Sequence, residues 1–449
     1  MTRLATLAAL FCLLQAASAA RADDRTLRLY GEPTSFTNVV DAFDDDDLFD
    51  LNASIGFTRT LGYGSLRRED PRADGRSTRN FKDVGDYSLV RNTLNLSMDM
   101  GIYRDLALFA RLPVVLSDDQ KIAVPSGRDA AAANADLAVP AEGGAEQVFS
   151  VPFTSPTRSG VDHLSFGVAY AVTNQFRSPE LPTWLWIAEL QLGVGSRSNP
   201  CFGTKPDTAS ARCYNGSDPG TGSGLSAINI ETRASKRYRF AEPYAGFAFL
   251  YRWPGSSSEL FQTGGDLEGY VRTTPPAEGT LTLGTTVFPW EERGRSQRLA
   301  LDVRANGSWV TAGHGYTPLT DALGTSQAAS LRSPVRECPT CSAEDQFSGL
   351  TDTQAHARLG GQISVELQAA QYVRFVLGAN VSYSTPYLLT GADACNLSAG
   401  DGAGDERTGS CEEGIQNPHY RAAVDAPGNR FLLDGEVVID LFASAVAQF

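Results

Sequence analysis

The chain lacks most of the marks of a helical or nucleic-acid-binding protein. Beyond its first twenty residues it has no run of eighteen uninterrupted apolar residues, which excludes a transmembrane helix. Helical periodicity is almost absent. Methionine is scarce, with only 3 in 449 residues. Positive charge is in deficit: 38 Lys and Arg against 52 Asp and Glu leave a formal net charge of −14, which argues against nucleic acid as a partner. No sequence pattern calls for a cofactor or a metal.

What is present begins with an export signal. Arg3 is followed by an apolar run from Leu4 to Ala17, and Ala17-Ser18-Ala19 supplies the small residues of a cleavage site. Residues 1–19 therefore read as a secretory signal peptide. Cys12 lies inside the apolar run, leaving six cysteines in the exported chain. They fall in three close pairs: Cys201 with Cys213, Cys338 with Cys341, and Cys395 with Cys411. An even, paired count after a signal peptide predicts disulfides formed in an oxidising compartment. Cys338-Pro-Thr-Cys341 is also a C-x-x-C, but no following helix or nearby histidine supports a redox or metal role, so a loop disulfide is the simpler reading.

The dominant pattern is alternation. Counting back from Phe449, one face of the last segment is Ala447, Ala445, Ala443, Leu441, Ile439, Val437, Gly435, Leu433 and Phe431. The other face carries Asp440, Glu436 and Asp434. Such a run is about twice the length of a sandwich strand and suits a tilted membrane-spanning strand of about 9–11 residues. The same register recurs at 89–101, 298–309, 358–368 and 373–385. Apolar-out, polar-in alternation over long strands is the pattern of an all-β fold, a transmembrane antiparallel β-barrel, whose sheet must close because open edges cannot persist in lipid.

Strands are predicted at 47–60, 86–101, 105–117, 161–176, 183–196, 226–238, 243–253, 278–289, 297–311, 356–369, 372–386 and 429–449, about 12 in all. The weakest, 243–253 and 278–289, leave 10 or 14 open. Short connections alternate with long ones rich in Gly, Ser, Asp, Ala and Pro, as short periplasmic turns alternate with long extracellular loops. An even strand count puts both termini in the periplasm, in the cell outer membrane of a Gram-negative cell. The expected organisation is a signal peptide (1–19), an acidic periplasmic N-terminal segment (20–46) and an outer-membrane barrel (47–449).

The predicted inward face collects Arg91, Asp99, Arg111, Glu189, Glu231, Arg233, Arg237, Arg252, Asp302, Arg304, Arg358, Glu366, Arg374, Asp434, Glu436 and Asp440. Both signs are nearly balanced there, although the chain is acidic. These groups either line a hydrated channel for polar or zwitterionic solutes or pair across the lumen and block it. Twelve strands enclose more space than the eight that side chains can fill alone, which favours a channel. Trp184, Trp186, Trp253, Trp290, Trp309, Tyr238, Tyr244 and Tyr251 lie near predicted strand ends and read as interfacial girdles. Asp44 to Asp47 read as a solvated linker, although a carboxylate cluster of this kind could also hold a hard cation. His163 and Ser165 share a strand face and resemble locally the His-x-Ser of an outer-membrane phospholipase. That chemistry needs an outward face, whereas the outward residues here are Leu164, Phe166, Val168 and Tyr170. No enzyme activity is expected.

Gly160-Val-Asp-His-Leu-Ser-Phe-Gly-Val-Ala-Tyr170, with Arg111-Leu-Pro-Val-Val115 before it and Leu192-Gly-Val-Gly-Ser196 after it, is similar to a strand pattern of outer-membrane transporter-like barrels. The match spans roughly 105–196, and Asp162-His163 stands where that group tends to have Gly-Asp. The resemblance implies passage of small, often hydrophobic, molecules, and Phe449 resembles the terminal aromatic that barrel-assembly machinery recognises. The expected function is a porin-like channel or transporter passing small-molecule solutes passively, in contact with outer-membrane lipid and lipopolysaccharide. The alternatives are a non-conducting structural or adhesion barrel with disulfide-stapled loops, and a lipid-modifying enzyme.

Overall fold

The computed structural model describes residues 36–40, 50–71, 77–141, 144–198, 220–255, 269–292, 295, 297–326, 328–331, 347–370, 372–396, 404–405, 410–411 and 415–448. The barrel strands are β1 (Leu51–Pro71), β2 (Ser77–Tyr103), β3 (Leu106–Ala123), β4 (Leu164–Thr173), β5 (Thr183–Leu192) and β6 (Leu225–Ser235). They continue with β7 (Ala241–Pro254), β8 (Glu278–Glu292), β9 (Gln297–Val310), β10 (His356–Ala370), β11 (Val373–Ser384) and β12 (Phe431–Gln448). Each pairs antiparallel with its sequence neighbour, and β12 pairs with β1 from Asn52↔Gln448 to Arg68↔Phe431, which closes a barrel of 12 strands. The two segments with the weakest alternation, β7 and β8, pair with each other over ten positions.

The outer face is apolar because the alternate residues of every strand are. Phe57, Leu96, Leu108, Phe166, Trp186, Ile230, Phe249, Leu283, Val303, Ile363, Leu377 and Leu441 all stand exposed on it. Ile363 and Leu377 are each 64 % exposed, and a continuous apolar face of this kind suits contact with lipid. At one end, here the turn end, strands are joined by short connections. Asp105 makes the β2–β3 turn in the left-handed region (φ 54°), which Asp tolerates. Its carboxylate accepts hydrogen bonds from Asn174 (2.5 Å) and Arg177 (2.8 Å), tying this turn to the next.

At the opposite, loop end the wall is uneven. β2 has 27 residues and β5 only 10, so β1, β2, β3 and β12 rise above the rest. The intervening loops pack against this raised wall as a cap. The cap contains the short helices α1 (Ala130–Ala135), α2 (Thr320–Gly324) and α3 (Ala422–Asp425). Leu137, Val148, Leu319, Leu323, Leu331, Leu389 and Val424 form its buried core with Leu66, Ile122, Phe431 and Leu433 from the strands. The long connections after the predicted strands 105–117 and 297–311 thus contribute a hydrophobic core of their own.

One local irregularity changes a predicted face. Gly435 (φ 63°) sits where the β1–β12 register shifts between Tyr63 and Ser65. Below it Leu441 faces outward, as predicted. Above it the parity reverses: Phe431 and Leu433 are buried in the cap, and Asp434 lies on the other face, bonded to Arg67 at 2.9 Å. Asp434 is therefore not on the inward face that a continuous alternation from Phe449 predicts. An extra residue at a bulge advances the two-residue period by one, and Gly supplies the positive φ it needs.

Candidate functional site: the barrel lumen

The inward residues of successive strands place charges of both signs within reach of one another. Arg91 contacts Asp118 across β2 and β3 at 2.5 and 2.9 Å. Arg111 on β3 approaches Glu189 on β5 at 3.5 Å. Arg233 forms a bidentate pair with Glu231, two residues away on the same face of β6. Arg304 pairs with Asp302 on β9, and Asp302 also accepts from Tyr244 Oη (2.6 Å) and Thr286 (2.8 Å). Glu366 lies between Arg298 (2.8 Å) and Arg374 (3.9 Å). Asp440 accepts from Thr60 and Asn380, and Glu436 from Tyr387 at 3.5 Å. Asp99 faces the same space, with the side chains of Leu96 and Met98 on the outer face. A charge in such a wall is tolerable only when paired or hydrated, and both solutions occur: Glu366 is buried and paired, whereas Arg111 keeps 45 % of its side chain exposed.

The turn half of the lumen is occupied by Phe36–Val40. Phe36 stacks on Tyr244 with ring centroids 4.2 Å apart, and the guanidinium groups of Arg233 and Arg304 lie 4.7 and 5.3 Å from its ring centre. Arg233 also donates to the Phe36 carbonyl oxygen at 2.8 Å. Thr37 bonds Ser235 (2.7 Å) and donates to Glu242 (3.4 Å). Val39 packs against Phe109, Ala169, Ala171, Leu185 and Ile187, an apolar patch on the inner face of β3, β4 and β5. The described part of the predicted periplasmic segment 20–46 is therefore inside the barrel. Its apolar residues match an apolar patch, and its aromatic ring meets two cations.

At the loop end the lumen opens into a pocket of about 440 Å³ beneath the cap. Arg91, Arg252, Arg358, Glu278, Tyr316 and Tyr387 line it. Arg358 is 3.6 Å from Glu278, and Arg252 donates to the Pro276 carbonyl oxygen at 3.2 Å. The pocket's roof is α2, held by a buried bidentate pair between Arg158 and Asp321 at 2.7 and 2.6 Å. Farther into the cap, Asp425 accepts backbone N–H bonds from Gly391, Ala392 and Arg421. Burial pushes its carboxyl up to about 7 against the pull of those donors.

The remaining predicted sites fall as follows. Cys395 and Cys411 form a disulfide in the cap. Cys201, Cys213, Cys338, Cys341, Asp44 to Asp47 and Phe449 lie outside the described residues. Ser165 is fully buried on the inner face, and its hydroxyl makes no hydrogen bond among the described residues. His163 contacts Asp162 at 3.2 Å. Trp184, Trp186, Trp290, Trp309 and Tyr251 stand on the outer face, but Tyr244 points inward. Sequence reasoning missed Phe36 and Tyr244 as lumen groups. Tyr244 shares its parity with Arg252, which was the available signal; a five-residue segment such as Phe36–Val40 offers none.

No protein-family model matches the sequence, and no curated protein matches it. Among solved structures, the chain is similar to the COG4313 outer membrane channel from Pseudomonas putida F1, at 10 % identity over 93 % of this chain and 99 % of that one, with a TM-score of 0.38. It is also similar to a Pseudomonas aeruginosa FadL homologue, at 9 % identity over 94 % and 95 % of the two chains, TM-score 0.32. The outer membrane protease OmpT from Escherichia coli matches at 7 % identity over 89 % and 97 %, TM-score 0.28. Likeness at this level assigns neither family nor activity.

Proposed function

We propose that this protein is an outer-membrane channel that passes small polar solutes passively, with its turn end in the periplasm and its capped end outside. The observation that carries this reading is the way the lumen is filled. Its wall is a polar surface of both charge signs, and Phe36–Val40 occupies its turn half through ring stacking, apolar packing and a few hydrogen bonds, outside the pairing of the barrel sheet. A barrel meant only as a scaffold can fill its centre with wall side chains. Here a separate piece of chain does it, and such a piece can leave. Balanced wall charges favour polar or zwitterionic solutes over ions of one sign.

The packed cap gives specific support to a second reading, a non-conducting barrel that presents its loops as a binding surface. Liposome swelling with purified protein separates the two. Across a size series of neutral sugars and amino acids, the channel reading predicts swelling that slows as solute size grows. Absence of swelling for every solute, with the barrel folded, would leave the structural reading.

A further inference from the structure

The chain has only 4 histidines, and the cap brings two of them together although they are 105 positions apart. His314 lies in the short strand Gly313–Gly315, paired with Thr351–Thr353 so that His314 stands opposite Asp352. His314 Nδ1 is 2.7 Å from Asp352 Oδ1, and their side chains are 2 % and 0 % exposed. His419 comes from a third segment. Its ring lies flat on that of His314, with centroids 3.6 Å apart and planes 5° from parallel. Tyr270 packs edge-on against it at 4.7 Å.

The position of His419 is built in. Its backbone N–H donates to the side-chain oxygen of Asn417, whose amide donates to the Asp393 carbonyl oxygen. Cys395 bridges to Gln416 next door and is itself tied to Cys411 by the disulfide. One ligand atom from each of His314, Asp352 and His419 lies within 4.8 Å of the others. Two imidazoles and a carboxylate suit a borderline divalent cation of the zinc type, not Ca²⁺ or Mg²⁺, which take mainly oxygen ligands.

From this convergence we infer that His314, Asp352 and His419 form a Zn²⁺-type binding site that clasps three segments of the cap. Tetrahedral zinc with bonds of about 2.0–2.1 Å holds its ligands roughly 3.4 Å apart, so closure moves the side chains by about 1 Å. The rings must also leave their parallel stack, because each lone pair lies in its own ring plane. His419, the less buried of the two, is the ring that turns. Arg272 approaches Asp352 through Oδ2 at 3.4 Å and leaves Oδ1 on the side of the histidines. Its charge opposes the cation, which places affinity below that of a dedicated structural zinc site.

The test is isothermal titration of ZnCl₂ into the full-length protein in detergent, after chelator treatment. One saturable site of roughly micromolar affinity is expected, weakened at least about tenfold in His314→Ala and in His419→Ala. Excess MgCl₂ should not displace the zinc. A folded wild type with no saturable zinc binding would overturn the assignment. So would binding that survives in a His314→Ala, His419→Ala double variant. Should an alanine variant fail to fold, His419→Gln keeps the size of the side chain and carries the same comparison.

Discussion

At the scale of single residues, the wall is governed by the cost of burying charge. Arg158 and Asp321 have side chains only 4 % and 8 % exposed, so each depends on the other. Replacing one partner leaves the second charge buried alone, at a cost of about 3–5 kcal/mol. Arg158→Ala should therefore release α2 from the pocket and expose the cap to proteolysis while the barrel strands resist. Cap cleavage unchanged from wild type under limited trypsin digestion would show that the pair does not hold the helix. Parity along the strands is what the sequence offers for sorting inward from outward groups, because a two-residue period leaves no intermediate position. At Tyr244 the aromatic character near a strand end suggests a girdle, against its parity. Its hydroxyl instead serves Asp302, and its ring carries Phe36.

At the scale of elements, long alternating strands were the most legible feature, and the weak pattern at β7 and β8 still marked true strands. What alternation cannot convey is a change of phase. Reading outward from the C-terminal end of β12 holds as far as Gly435, where the bulge exchanges the faces of Phe431 to Asp434. The glycine was visible in the sequence, but nothing local distinguishes a glycine at a bulge from one in a regular strand. The faces make a sharp prediction. Leu377, on β11, is among the most exposed apolar residues of the outer wall. Leu377→Arg should cost about 2–4 kcal/mol if it lies near the bilayer midplane, whereas Ser382→Arg on the opposite face of the same strand should cost much less. Urea unfolding in vesicles of each variant measures the difference. Equal losses at both positions would contradict the assigned faces.

At the scale of the whole molecule, the barrel and its closure come from different kinds of information. Closure follows from lipid, which tolerates no open edge, so the strand pattern suffices to predict it. The filling of the barrel depends on contacts between distant segments: Val39 with the apolar patch of β3, β4 and β5, Phe36 with Tyr244, Phe149 with Phe431. Those contacts have no short-range signature, which is why the plug and the cap core could not be read in advance. In the proposed channel they would also set conduction, since a polar lumen conducts only when the chain inside it moves aside.

In the proposed channel, Phe36–Val40 is a removable block in a conducting lumen. Planar-bilayer conductance of the wild type and of a variant lacking residues 36–40 tests it most directly, with heat-modifiable gel migration confirming that both barrels are folded. The deletion should raise single-channel conductance above that of the wild type. Folded barrels that are equally silent with and without the segment would contradict a conducting lumen.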